Sequence, residues 1–122
     1  MSKTIRVLYA DDEDSLRMLV KNQLTQEGLS IDTADDGDTA VEMLQKNKYD
    51  VILLDIRMPR MSGIDVLRHI KRHNISSRII MLTAVDDLAV AIEAVKHGAN
   101  DYITKPFDFD SIVASIHRVI AE

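Results

Sequence analysis

Three aspartates end apolar runs that read as buried strands. Residues 5–10 (Ile-Arg-Val-Leu-Tyr-Ala) lead into Asp11 and Asp12, and residues 51–54 (Val-Ile-Leu-Leu) lead into Asp55. An apolar run of about four to eight residues bounded by polar ones is the mark of a buried strand. Open α/β sheets put their ligand sites at the carboxyl ends of such strands. Carboxylates crowded there repel one another unless a cation or a proton intervenes. The pattern predicts a site for a divalent metal.

Two further groups reach the same edge. Thr83 lies near the end of the apolar run 79–84, and Lys105 follows the short run 102–104, just before Pro106. A carboxylate can attack phosphorus and form an acyl phosphate. Such transfer requires in-line positioning and neutralisation of the equatorial oxygens, commonly by Mg²⁺ and a lysine. Mg²⁺ takes oxygen ligands and accepts one or two carboxylates completed by phosphate and water. Lysine serves as a point-charge partner for phosphate, and a threonine hydroxyl can donate to a remaining oxygen. Each residue alone reads as a cap, a turn or an ordinary strand residue. Their joint placement at four strand ends points to reversible phosphorylation of Asp55.

The elements that must position these groups alternate in type. Apolar runs at 5–10, 31–34, 51–54, 79–84 and 102–104 are separated by segments of helical periodicity. That alternation means βαβ units and a parallel sheet. The first helix is expected to present Leu16, Leu19, Val20 and Leu24 before stopping at Gly28; the second presents Ala40, Val41 and Leu44. The third, entered through Ser62-Gly63, presents Ile64, Leu67 and Ile70, and the fourth Leu88, Ala91, Ile92 and Val95 before Gly98. The last starts at an Asp108 N-cap and carries Ile112, Val113, Ile116, Val119 and Ile120 in one stripe. The expected fold is α/β: a doubly wound, flavodoxin-like, five-stranded parallel sheet of order 2-1-3-4-5 flanked by five helices. The order is a precedent for chains of this size rather than a reading of these residues. It makes strands 1 and 3 neighbours, so Asp11, Asp12 and Asp55 converge at the topological switch point.

Composition narrows the alternatives. The 122 residues, 46% hydrophobic and 29% charged, fit one soluble domain spanning 1–122, with no linker or repeat. With no cysteine there is neither a disulfide nor a thiolate zinc site, which fits a reducing, cytoplasmic setting. No apolar stretch approaches the ~18 residues of a membrane span, and Asp11 comes too early for a signal peptide's apolar core. A net charge of −5 argues against direct nucleic-acid binding.

The segments Asp11-Asp12, Asp55-Ile56-Arg57-Met58-Pro59-Arg60-Met61-Ser62-Gly63, Thr83-Ala84 and Gly98-Ala99-Asn100-Asp101-Tyr102-Ile103-Thr104-Lys105-Pro106-Phe107 resemble the response-regulator receiver family of two-component signalling. The match is in order and covers essentially the whole chain. The resemblance implies that Asp55 is the phosphoacceptor and Asp12 a direct Mg²⁺ ligand. It gives Asp11 a role largely through water and Arg57 one through its backbone carbonyl, with a side chain free to vary. Thr83 would be the switch hydroxyl, Tyr102 the switch aromatic and Lys105 the phosphate partner, its bond to Pro106 being cis. The implied donor is a phosphohistidine on a sensor histidine kinase or a histidine phosphotransfer protein. Output would pass through helix 4, strand 5 and helix 5 to an unidentified partner, with phosphorylation-dependent dimerisation open. On this reading the chain is a switch rather than an enzyme, catalysing only its own phosphotransfer and autodephosphorylation. Val85, two residues after Thr83, would flank the phosphoryl group without orienting a hydrolytic water.

Other signals have plainer readings. His69 and His73 lie one helical turn apart, but opposite the apolar face and without a third ligand. His97 and His117 stand alone, and Met58 and Met61 pack a loop. Asp35-Asp36 and Asp86-Asp87 read as solvated turns or caps, and Asp12-Glu13-Asp14 lacks a calcium loop's ligand spacing. A Mg²⁺-dependent phosphohydrolase would need a second acid two residues after its nucleophile, where Arg57 stands. A flavin carrier would need a phosphate-binding loop where Asp-Asp-Glu-Asp stands. The ending at Glu122 favours a free-standing receiver, while helices 4 and 5 resemble receivers joined to transcriptional activators.

Overall fold

The computed structural model describes residues 4–122. Five parallel strands, β1 (Arg6–Ala10), β2 (Ser30–Ala34), β3 (Val51–Asp55), β4 (Arg78–Thr83) and β5 (Asp101–Thr104), form one sheet in the order β2-β1-β3-β4-β5. They alternate with α1 (Asp14–Gln26), α2 (Gly37–Lys46), α3 (Gly63–Arg72), α4 (Leu88–Lys96) and α5 (Phe109–Ile120); a 3₁₀ turn (Val85–Asp87) precedes α4. The expected fold and strand order are both present.

Side chains alternate across the strands, so the sheet carries two cores. Leu8, Ala10, Ile52, Leu54 and Met81 face α2, α3 and α4, which contribute Ala40, Leu44, Leu67, Ile70 and Ala91. Val7, Tyr9, Leu53, Ile80 and Leu82 face α1 and α5, which contribute Val20, Leu24, Ile112, Ile116 and Val119. Burial on both faces is why β3 reads as a continuous apolar run. Among the described residues no helix is long and apolar enough to cross a membrane.

Two helix faces depart from expectation. On α1, Leu19 is half exposed, and Val20 and Leu24 carry the burial. On α4, Ala91 and Ala94 face the sheet while Val90, Ile92 and Val95 are partly exposed. Small side chains let α4 sit close to the sheet, and its larger ones are left outside. Helix starts follow their capping residues: Ser62 and Asp65 form a capping box on α3, and Asp36 and Asp108 accept the N–H groups of Thr39 and Ser111.

Candidate functional site

Register brings the acids together. Ala10 pairs with Leu54 across β1 and β3, so the next residues, Asp11 and Asp55, stand side by side at the carboxyl edge. Asp12 completes the group: one carboxylate oxygen from each of Asp11, Asp12 and Asp55 lies within 4.8 Å of the others. Asp11 is fully buried, Asp55 nearly so, and Asp12 is exposed. Lys105 reaches in from the end of β5 and donates to Asp11 Oδ2 at 2.8 Å and Asp55 Oδ2 at 3.0 Å. The Lys105–Pro106 peptide bond is cis.

The two buried acids differ in their donors. Asp11 Oδ2 also accepts the Tyr9 hydroxyl at 2.7 Å, and Asp11 Oδ1 accepts the Glu13 N–H at 2.9 Å. Asp55 has the Arg57 N–H, at a longer 3.3 Å. Burial raises both pKa values, but the donors on Asp11 outweigh it and hold that carboxyl below the ordinary range. Asp55 is pushed up to about 6 by burial, with the Asp11 charge adding to the rise. Burial opposes the Lys105 charge, yet its two carboxylate partners raise its pKa. Burial, then Asp11, pushes the Tyr9 phenol far above its usual range.

The donor set fits a small hard cation: all oxygen, anionic, and already balanced by an ammonium where positive charge is required. A cleft of about 560 Å³ opens beside the cluster, with Asp12, Arg57, Ser62 and Asp87 among its walls.

Thr83 is fully buried at the end of β4, its hydroxyl donating to the Ala84 carbonyl at 2.8 Å and its own carbonyl accepting the Lys105 N–H at 2.7 Å. Tyr102 stands on β5 with its side chain 36% exposed. The rings of His69, in the last turn of α3, and His73, its C-cap, lie 4.1 Å apart between centroids, and neither belongs to the acid cluster. Asp11, Asp12 and Asp55 are the only described residues that gather three metal-ligating side chains of the His, Cys, Asp or Glu type.

Three features escaped the sequence reading. Arg57 does not leave its side chain idle: Nη2 and Nε hold Asp87 Oδ1 and Oδ2 at 2.7 and 2.5 Å. Asp87, expected to be a solvated turn or cap, is buried, accepts no capping hydrogen bond and has its pKa lowered by Arg57. Nothing in local spacing announces a pair 30 residues apart. The third is Tyr9 on Asp11, and here a signal existed: strand alternation puts residues 9 and 11 on one face.

Gly63 explains the entry to α3. A Cβ there would lie 2.2 Å from the Asp55 carbonyl oxygen, so the helix starts against the end of β3. A Cβ on Gly37, at the start of α2, would likewise meet the Met61 carbonyl at 2.1 Å.

Residues 7–117 match the family model of the response regulator receiver domain. The chain belongs to that family. Receivers are signalling switches of two-component regulators, and phosphorylation on an aspartate is their general function. Among curated relatives, the regulatory protein AtoC of Escherichia coli is 35% identical over 98% of this chain and 26% of its own length. The DNA-binding transcriptional regulator NtrC of Klebsiella pneumoniae is 40% identical over 91% of this chain and 24% of its own. The chain thus spans about a quarter of these relatives' length. The receiver domain of a Francisella response regulator superposes with a TM-score of 0.90 at 33% identity, covering 97% of this chain and 98% of that one.

Proposed function

We propose that this receiver takes a phosphoryl group onto Asp55 from a phosphohistidine on a sensor histidine kinase or histidine phosphotransfer protein. The observation that carries this reading is Lys105, whose ammonium bridges Asp11 and Asp55 at the switch point of the sheet. An Asp55 carboxylate oxygen attacks phosphorus; the P–O bond forms as the P–N bond breaks, and the electron pair leaves on the partner's imidazole. Asp12 and the Arg57 carbonyl would hold Mg²⁺ directly with Asp55, and Asp11 largely through water. Bound there, Mg²⁺ neutralises charge on the phosphoryl oxygens.

The remaining residues respond to the new charge. Lys105 passes from Asp55 to a phosphoryl oxygen, and Thr83 turns its hydroxyl from the Ala84 carbonyl to another. Tyr102 then rotates inward, and the surface of α4, β5 and α5 changes for an output partner, an attached effector segment or a second copy. Autodephosphorylation closes the cycle in a cytoplasmic setting. The phosphohydrolase alternative is weaker still with Arg57 committed to Asp87, since no acid stands where a second catalytic carboxyl is needed.

The test is incubation with Mg²⁺ and acetyl phosphate, followed by intact mass. Wild type is expected to gain one phosphoryl group and Asp55→Asn none. Labelling that survives the substitution removes Asp55 from its assigned role.

A further inference from the structure

Tyr9 performs no task in the switch described above, yet its position is costly. Its ring is fully buried in the core between the sheet and α1 and α5, where a phenylalanine would fill nearly the same volume without a polar atom to satisfy. Its hydroxyl reaches the one polar group it can serve, donating at 2.7 Å to Asp11 Oδ2, itself fully buried. A carboxylate can only accept, so the phenol is the donor.

The same oxygen takes Lys105 at 2.8 Å, and the two donors differ in kind. Lys105 sits on a flexible four-carbon stem and is shared with Asp55 at 3.0 Å. Tyr9 is fixed by the core, with two torsions and no second acceptor. Whenever Lys105 turns to an incoming anion, Tyr9 and the Glu13 N–H are what remain on the Asp11 carboxylate.

We propose that Tyr9 is a positioning residue for the cation site: its hydroxyl locks the Asp11 carboxylate in the orientation that faces Asp12 and Asp55, independently of where Lys105 points. This rests on the reading of Asp11, Asp12 and Asp55 as the Mg²⁺ site. Partners that orient a metal's carboxylate ligands matter for affinity even though they never touch the ion.

The experiment measures Mg²⁺ affinity of the whole chain by backbone amide shifts, with no phosphoryl donor present. Wild type is compared with Tyr9→Phe and with Tyr49→Phe, the latter losing a hydrogen bond of 2.6 Å to Asp32, outside the acid cluster. Tyr9→Phe is expected to weaken Mg²⁺ binding roughly ten-fold, the low end of the range for such partners. Tyr49→Phe is expected to bind as wild type even if it unfolds at a lower temperature. Equal or tighter binding by Tyr9→Phe, or equal weakening in both variants, overturns the proposal. Should Tyr9→Phe not fold, the Tyr9 hydroxyl proton in the Mg²⁺-loaded, beryllofluoride-treated wild type decides. A protected resonance supports the lock, and loss of that resonance rejects it. If wild type binds no Mg²⁺, or Asp12→Asn binds as wild type does, the metal reading itself fails.

Discussion

Arg57 and Asp87 clasp each other through two parallel contacts, Nη2 to Oδ1 at 2.7 Å and Nε to Oδ2 at 2.5 Å. The pair joins the loop after β3, which carries the acid site, to the 3₁₀ turn that leads into α4. It is a direct side-chain bridge between the segment next to the proposed phosphoacceptor and the helix expected to respond. The bidentate form fixes direction as well as distance.

Loss of this bridge should loosen α4 at its start. In Arg57→Ala the buried Asp87 carboxylate keeps its charge and loses its partner. Amide hydrogen exchange in the first turn of α4 is expected to accelerate, while α2 keeps its protection. Unchanged exchange at residues 88–91 would show that the bridge restrains nothing.

Asp55 should make metal-free stability fall with rising pH. Its pKa of about 6 in the fold exceeds the ordinary 3.8, so the folded chain holds this proton more tightly than the unfolded chain. Stability from this group therefore declines as pH climbs from about 4 to about 6 and stays reduced above that window. Asp11, with its pKa depressed, acts in the opposite sense, so the comparison must be made against Asp55→Asn. Near neutral pH and without divalent cation, that variant is expected to be more stable than wild type by about 1–2 kcal/mol, after allowance for screening. Near pH 4 the gap should close. Urea melts at the two pH values decide, and a gap that does not change with pH contradicts the assignment.

Lys105→Met should cost stability in a way that Mg²⁺ repairs. Without the ammonium, Asp11 and Asp55 are left as adjoining buried carboxylates, at a cost of about 2 kcal/mol in the metal-free protein. Saturating Mg²⁺ is expected to shrink the deficit, because the cation restores the missing charge. Denaturant midpoints with and without Mg²⁺ measure this. A deficit independent of Mg²⁺ would mean that Lys105 matters for packing alone.

Val85 should tune the lifetime of the aspartyl phosphate. It is 66% exposed, so replacement disturbs no core. Val85→Glu or Val85→Asn would place a polar group able to orient water where valine cannot. The decay rate of phosphorylated protein, followed by intact mass, is expected to differ measurably from wild type, and equal rates reject the idea.

The fold was readable because buried strands and amphipathic helices write their periods into the chain. The run 51–54 announced β3, and Asp55 at its end announced a site. The α4 face was read in part: Ala91 was expected there and is buried, but periodicity also favoured the large Ile92 and Val95, which are partly exposed, and passed over Ala94. Lys105 was readable from its position after a strand, although its two partners lie 94 and 50 residues away. Arg57 and Asp87 were not, because two surface-type charges far apart in sequence carry no periodic signal. Tyr9 was hidden by its own suitability: an aromatic in a buried strand calls for no further explanation.

The seam at Gly63 gives the loop its mechanical character. On its inner side there is no room for even a methyl group between α3 and the end of β3, and Gly37 against Met61 is equally tight. Steric stops of this kind do not yield by degrees. The outer side is held by a pair of opposite charges, Arg57 and Asp87. A phosphoryl group on Asp55, as proposed, would therefore arrive between one side closed by steric contact and one held by charge, and the charged side faces the start of α4.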